Sequence, residues 1–345
     1  MKRPRVLFWT QGDVGRGLGL VVRMLVLAGK LKSRAEILFF VNSNRHAVTK
    51  VRDAGFRLRR FPTVDALDGK ERALRAFRPD LVVTDIKKPE DRFFRRVKDL
   101  TGARIATFDE LNRVKLHSDI VINYNTFDPK RRFRSTLSGT RFLFGPRYAI
   151  LRDEFSRGRR PSAPRALCRR LMVAFGGSDP MAMTPKVAAA LRLVKRPITA
   201  DFVLGAAFPF DRELETALRG ASYPYRVRRD VKNMAELLRR ADLVITAGGT
   251  IMYEALYLRR PALTIALAAH QDEFARQLAR RGAVRHLGMG DRLTPARIAR
   301  EVERLARDAP ARRALARAGS GIIDGRGAGR LAAELDKLLE RKGTR

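Results

Sequence analysis

The sequence predicts an α/β chain of two Rossmann-like domains, each a parallel sheet wound with helices. Three observations predict it. Short apolar, β-branched runs alternate with helical periodicity along most of the 345 residues, the pattern of strand–helix–strand crossovers. Glycine-rich turns follow a strand and open a helix in both halves, at residues 12–19 and again at Gly176-Gly177 and Gly248-Gly249. Between the halves, residues 156–170 (SRGRRPSAPRALCRR) are rich in Pro, Ser and Arg and nearly free of apolar periodicity, as a linker is. An apolar content of 45% suffices for two cores of ordinary size. The expected division is a first domain at 1–160, a second at 161–325 and a terminal helix at 326–345.

In chain order, the first strand is the apolar run 5–10, followed by Gln11-Gly12-Asp13-Val14-Gly15-Arg16-Gly17-Leu18-Gly19 and a helix at 20–31 with Val21, Met24, Leu25 and Ala28 on one face. One glycine-rich turn is weak evidence for a dinucleotide site. The next strand, 37–41, ends in Asn42-Ser43-Asn44 with no acidic residue to hold a ribose, so a nicotinamide cofactor is disfavoured. Further strands are expected at 57–61, 81–84, 104–107 and 120–122, with helices at 65–77 and 90–100. Asp85, Asp109 and Glu110 each stand just after a strand, at the carboxyl edge. There they either cap turns and helices or serve as a general base.

The second half begins with a strand at 171–175, the turn Gly176-Gly177-Ser178-Asp179-Pro180 and a helix at 181–193. Strands at 200–204 and 225–228 follow. The apolar strand 243–246 leads into Ala247-Gly248-Gly249-Thr250 and a helix ending near 258, with Thr250 as its expected N-cap. Glycines let a ligand approach the backbone, and free N–H groups at a helix start attract phosphate, although such turns also serve merely to pack helix on sheet. Glu254 falls one turn beyond Thr250 on the same face, where it could accept ribose hydroxyls or simply be solvated. A strand at 262–267 delivers His270, Gln271 and Asp272 to the same edge. Helices at 294–307 and 311–318, a short strand at 284–287 and an amphipathic helix at 328–341 complete the chain.

Lys and Arg number 72 against 36 acidic residues, a net charge of +36 that predicts attraction to anions. Most of the excess is Arg spread through helices, as at Arg95-Arg96, Arg239-Arg240, Arg259-Arg260 and Arg280-Arg281, the usual mark of a solvated or snorkelling face. There is no zinc-ligand spacing and no aromatic RNA-binding motif, which disfavours nucleic acid as the partner. Cys168 is the only cysteine, so an intrachain disulfide is excluded. The apolar run at 6–9 is too short for a signal peptide and no run is long enough to span a bilayer, so the expectation is a cytoplasmic protein, with any membrane contact peripheral.

The segment DVKNMAELLRRADLVITAGGTIMYEALYLRRPALTIALAAHQDEFARQL resembles the nucleotide-binding half of two-domain, GT-B type glycosyltransferases, including the UDP-GlcNAc transferase that forms lipid II. Through GDVGRGLGLVVRMLVLA, PDLVVTDI, TFDELN, VINYN, FGPRYAILRDEF and FGGSDP, the first 275 residues resemble more closely the UDP-sugar hydrolases of pseudaminic acid biosynthesis and their spore-coat polysaccharide relatives.

That resemblance implies a ligand cleft between an acceptor domain and a nucleotide-sugar domain. It implies a UDP-sugar substrate, no further cofactor and no metal. The nucleotide would be held by Gly176, Gly177, Ser178, Val231, Gly248, Gly249, Thr250 and Glu254, with backbone groups near Val231 reading the base. His270 and Gln271 would hold the sugar. Gly15, Gly17 and Gly19 form the glycine loop of the first domain, in which Leu18 stands where the hydrolases have a histidine thought to act on water. Leucine cannot move a proton, so Asp13, Asp85 and Asp109 are the candidates for a base, and transfer to an acceptor is favoured over hydrolysis. A protein that binds nucleotide sugar without turnover is the third reading. Enzymes of this type often act on lipid-linked sugars, which makes an anionic membrane surface a further candidate partner.

Overall fold

A computed structural model describes residues 3–12, 18–87, 89–90, 92–110, 115–125, 135–156, 162–229 and 231–340. Asp13, Gly15 and Gly17 lie outside them. Two units are present. Among the described residues the first runs to Arg152 and takes in the chain again from Arg326, while the second comprises Asp153–Gly325.

The sheet of the first unit contains β1 (Arg5–Thr10), β2 (Glu36–Asn42), β3 (Arg57–Phe61), β4 (Leu81–Asp85), β5 (Arg104–Phe108), β6 (Ile120–Asn123) and β7 (Arg141–Phe144), with helices α1 (Gly19–Leu31), α2 (Arg45–Asp53), α3 (Glu71–Phe77) and α4 (Phe93–Thr101) in the connections. All pairings are parallel, in the order β3-β2-β1-β4-β5-β6-β7. The inner strands β1, β4, β5 and β6 are buried past their first residues and mostly apolar there, because helices cover both faces, with Thr10, Thr84, Asp85, Thr107 and Asn123 as the buried polar exceptions. Trp9 anchors one face: its ring meets Phe40 and Phe93 edge-on, and its indole N–H donates to Val64 O at 2.9 Å. That bond fixes residues before α3 as a loop. The helix expected from 65 therefore starts only at Glu71, after Gly69 in the left-handed region (φ +76°). β7 escaped the pattern because this short strand leaves Phe142 42% exposed.

The second unit repeats the winding. It contains β8 (Arg170–Ala174), β9 (Thr199–Leu204), β10 (Tyr225–Arg229), β11 (Leu243–Thr246), β12 (Ala262–Ala266) and β13 (Arg285–Met289), again all parallel, in the order β10-β9-β8-β11-β12-β13. Its helices are α5 (Asp153–Ser156), α6 (Met183–Leu191), α7 (Asp211–Leu218), α8 (Met234–Arg240), α9 (Thr250–Tyr257), α10 (Ala269–Arg280), α11 (Pro295–Arg307) and α12 (Ala309–Ser320). In each unit the strand order reverses beside the first strand, at β1/β4 and at β8/β11, which opens a crevice at the carboxyl ends where doubly wound sheets bind ligands.

The chain then returns to the first unit as α13 (Gly327–Glu340), packed on α1. A Cβ at Gly327 would lie 2.1 Å from Ala149 O, so only glycine lets this helix start so close to the backbone. Arg34 Nη2 meets Asp336 Oδ2 at 2.7 Å, and Arg141 pairs with Glu334.

The segment read as a linker is fastened to the second unit from Ser162 onward. Arg260, buried, donates to Ser162 O, to Ser162 Oγ (2.8 Å) and to Ala241 O (3.3 Å). Arg312, also buried, donates to Ala166 O (2.6 Å), Arg165 O (3.2 Å) and Leu305 O (2.6 Å). Asp242 accepts the backbone N–H groups of Arg169 (3.0 Å) and Arg170 (2.9 Å). Desolvating a guanidinium is costly, and these two meet that cost with backbone carbonyls. Arg260, half of an Arg-Arg pair read as a solvated face, is thus an interior tie.

Candidate active site

At the switch point of the second unit, β8 and β11 lie side by side, with Thr246 Oγ1 donating to Ala174 O at 2.7 Å. The turn after β11 places Gly249 at the N-cap of α9 in extended geometry (φ −113°, ψ −157°), and among the described residues no side chain accepts the first amides of the helix. Thr250, expected to be that cap, is instead the first helical residue, because Gly249 takes the half-turn position before it. The first amides of α9 therefore present the partial positive charge of a helix start at the carboxyl edge, the arrangement that binds phosphate.

Gly248 is required by close approach. A Cβ there would come within 2.9 Å of Gln271 O, so the glycine turn rests against the first turn of α10. Gln271 Oε1 accepts Leu267 N at 3.0 Å, and His270 is exposed. Gly248, Gly249, Thr250, His270 and Gln271 thus share the edge formed by β11 and β12. The next residue, Asp272, holds this turn in place. Its Oδ1 meets His286 Nε2 at 2.9 Å, while His286 Nδ1 lies 3.0 Å from Thr264 Oγ1 and 3.2 Å from Thr264 O. Burial would raise the Asp272 pKa, but the contacts with His286 and Arg276 outweigh it and hold the carboxyl below its ordinary range.

The turn after β8 differs from its expected role. Gly176 adopts φ +86°, and the backbone of Gly177 passes so close to Gly205 that a Cβ on the latter would meet Gly177 Cα at 2.4 Å. Ser178 is buried. Asp179 accepts Met183 N (2.9 Å) and Thr184 N (2.6 Å), so the start of α6 already carries a carboxylate. Gly176, Gly177 and Ser178, expected to help hold the nucleotide, thus stand at a helix start that Asp179 already occupies, whereas Gly248 and Gly249 stand at one without a side-chain cap among the described residues.

Val231 borders an open depression of about 510 Å³ that Val227, Arg229, Asn233, Glu236 and Arg240 also line. The start of α8 beside it is fixed by side chains: Asn233 Oδ1 accepts Glu236 N at 3.1 Å, and Glu154 Oε1 accepts Met234 N at 2.9 Å. Glu254 is completely buried on the inner face of α9, not solvated. Ribose hydroxyls reach its carboxylate only if the groups covering it move.

In the first unit, the residue that the sequence reading overlooked is Arg23 of α1. Only 7% exposed, it gives Nε and Nη2 to the two oxygens of Asp85 (Nη2–Oδ1 2.6 Å), Nη1 to Glu110 Oε1 (2.5 Å) and Nη1 to the Tyr124 hydroxyl. Its guanidinium also lies over the rings of Phe108 (5.2 Å) and Tyr124 (5.4 Å). The signal was an arginine inside the apolar run LVVRMLVLA. Asp85 is consequently not an open carboxylate at the sheet edge: it is 2% exposed and both oxygens hold Arg23. Burial raises its pKa, and Arg23 opposes the rise. Asp109 is half-buried with Oδ2 shut off from solvent, and its backbone N–H donates to Ile122 O at 3.0 Å. Gly19 begins α1, with Leu18 at its N-cap position. Among the described residues no group of three His, Cys, Asp or Glu side chains is placed to hold a metal ion, and no helix is long and apolar enough to cross a membrane.

Residues 211–324 match the glycosyltransferase family 28 C-terminal domain. Over 339 residues, 97% of this chain and 98% of the relative, the sequence is 30% identical to the spore coat polysaccharide biosynthesis protein SpsG of Bacillus subtilis (strain 168). Over 208 residues, 57% of this chain and 49% of the relative, it is 34% identical to the UDP-N-acetylglucosamine–N-acetylmuramyl-(pentapeptide) pyrophosphoryl-undecaprenol N-acetylglucosamine transferase of Sorangium cellulosum (strain So ce56). Among solved structures, Acinetobacter baumannii MurG superposes with a TM-score of 0.69 at 14% identity, covering 97% of this chain and 99% of that one, a likeness of fold. The open helix start beyond β11, the paired Rossmann-like sheets and this near full-length match lead to one conclusion: the chain belongs to the SpsG family, as a GT-B type glycosyltransferase with a family 28 C-terminal domain.

Proposed function

We propose that the enzyme transfers a sugar from a UDP-sugar to a hydroxyl acceptor in the assembly of a cell-surface polysaccharide. The observation that carries this reading is the uncapped start of α9 at Gly249, set beyond β11 at the switch point of the second sheet. Helix-start amides there would stabilise the charge that grows on the leaving diphosphate, a role that otherwise falls to a metal ion. The depression at Val231 suits the base, and His270 and Gln271 suit the sugar hydroxyls. Glu254 is assigned to the ribose only in a nucleotide-bound arrangement that uncovers it. The names of the relatives support both the polysaccharide context and, through the Sorangium transferase, a UDP-sugar donor.

Transfer is preferred to hydrolysis because Leu18 leaves its position without a proton-transferring group. The exposed arginines of the outermost strands β3 and β10 suit an anionic surface, so we place the enzyme at the cytoplasmic face of the membrane, on a lipid-linked acceptor. Incubation with UDP-sugars, following UDP with and without candidate acceptors, tests the reading. Acceptor-dependent UDP release with the sugar found on the acceptor is the expected result; equal release with the sugar free in water would replace it with hydrolysis.

A further inference from the structure

We infer that the amino-terminal edge of the second sheet is the face that docks on an anionic membrane, with Leu167 and Leu193 entering the lipid surface and the cations around them meeting its headgroups. The inference deepens the placement of the enzyme at a membrane and rests on it. The two leucines are 60% and 54% exposed, the most exposed large apolar side chains among the described residues. Each stands in the loop that enters a strand, Leu167 before β8 and Leu193 before β9, and those strands are neighbours. Thr199 N donates to Arg169 O at 2.7 Å, which holds the two loops side by side. Tyr225, which opens β10 opposite Ala200 of β9, adds a third exposed apolar side chain to the same edge.

Around the leucines the charge has one sign. Residues 165–170 (RALCRR) and 192–196 (RLVKR) carry three cations each and no acid. Arg169, Arg170, Arg192, Lys195 and Arg196 are exposed and form no ion pair among the described residues, while Arg165 pairs with Asp242. Arg196 lies near enough to act on the buried Cys168 thiol, so the charge of one loop bears on the other.

Cations are ordinary at the end of a helix such as α6, whose last carbonyls attract them. Neighbouring leucines left in water are not, because they forgo the burial that stabilises apolar side chains. A bilayer surface takes up both kinds of group: leucine and tyrosine sink into the boundary between headgroups and chains, and Lys and Arg stay with the phosphates. A nucleic acid would engage the cations and leave the leucines in water. The face lies at the other end of the strands from the start of α9, about 17 Å away along the five residues of β8. Docking there leaves the carboxyl edge of this sheet open to a sugar nucleotide.

The test is co-sedimentation of the full chain with vesicles of phosphatidylcholine and with vesicles of an equal mixture of phosphatidylcholine and phosphatidylglycerol. Three double variants join the wild type: Leu167→Ser with Leu193→Ser, Arg169→Glu with Arg196→Glu, and, as a control for net charge, Arg72→Glu with Arg75→Glu on α3. Every substituted side chain is exposed, so each variant should melt as the wild type does. Wild type should bind the mixed vesicles, bind phosphatidylcholine far less, and release as salt rises. The leucine variant should bind the mixed vesicles at least about fivefold more weakly and the arginine variant at least about tenfold, with the control within about threefold of wild type. A leucine variant that binds as the wild type does assigns the patch to polyanions such as nucleic acid and overturns the inference. A control that loses as much as the arginine variant overturns it too. Should the arginine variant fail to fold, the leucine variant decides by the same criterion. Wild type that binds neither vesicle overturns the membrane placement and this inference together, and its UDP affinity, measured separately, tells whether the donor reading still stands.

Discussion

The carboxylate of Asp179 accepts the backbone N–H groups of Met183 and Thr184, at 2.9 and 2.6 Å, and so does for α6 what no side chain among the described residues does for α9. Two turns that look alike in sequence are therefore opposite in electrostatic character: one helix start is neutralised from within, the other is open to an external anion. Asp179→Ala should lower stability by about 1–2 kcal/mol, read as a lower Tm, and leave UDP affinity within threefold of wild type. A large loss of UDP binding with unchanged Tm would show that the β8 turn holds the ligand after all.

Gly248 tests the contact between the glycine turn and α10. Its added Cβ would meet backbone, Gln271 O at 2.9 Å, rather than a side chain that can swing away. Gly248→Ala is expected to destabilise by about 1–3 kcal/mol and to raise KM for the sugar nucleotide about tenfold. Thermal melts and steady-state kinetics check both.

Asp272 and His286 pin that same turn from below. Replacing His286 by Ala removes one of the two partners of a carboxylate only 14% exposed and leaves Arg276, at a cost of about 1–2 kcal/mol. If the pin serves to place His270 and Gln271, the loss appears mainly in KM for the sugar nucleotide, and His286→Asn restores part of it. An unchanged KM would leave the pair a purely structural role.

Much of the fold was legible because fully covered parallel strands are continuous apolar runs, and glycine pairs mark where each meets its helix. What was not legible depended on tertiary partners. β7 is too exposed to show an apolar run, and α2, begun at the Asn44 cap, is only nine residues long with Ala47, Val48 and Val51 as its buried face. The site was readable to the level of the turns. That α6 is capped by Asp179, that Glu254 faces inward and that Arg23 is buried are consequences of packing across some 5 to 62 residues of chain, which local patterns do not carry.

Asp119 supplies a pH test in the first unit. Its carboxylate accepts Ile105 N (2.8 Å) and pairs with Lys98 (2.9 Å) and Arg104 (2.9 Å). Burial pushes its pKa up, but these three partners more than offset that and hold it below the ordinary 3.8. A carboxyl depressed by folding stabilises fully above its unfolded value, and the contribution disappears as pH falls through the folded one. Urea melts should therefore lose stability below about pH 4, and Asp119→Asn should lower stability by about 2 kcal/mol at neutral pH and flatten the acid limb. An acid limb of unchanged steepness in the variant would assign the acid sensitivity to other groups.

The central claim is that the start of α9 holds the diphosphate, and Gly249→Asp tests it most directly. A Cβ at Gly249 has nothing within 4 Å, and the backbone there is extended, so the variant should fold and its carboxylate should cap α9 as Asp179 caps α6. Calorimetric titration with UDP should show binding to the wild type and affinity at least about tenfold weaker in the variant, with Tm equal or higher. Equal UDP affinity in the two proteins would contradict the account.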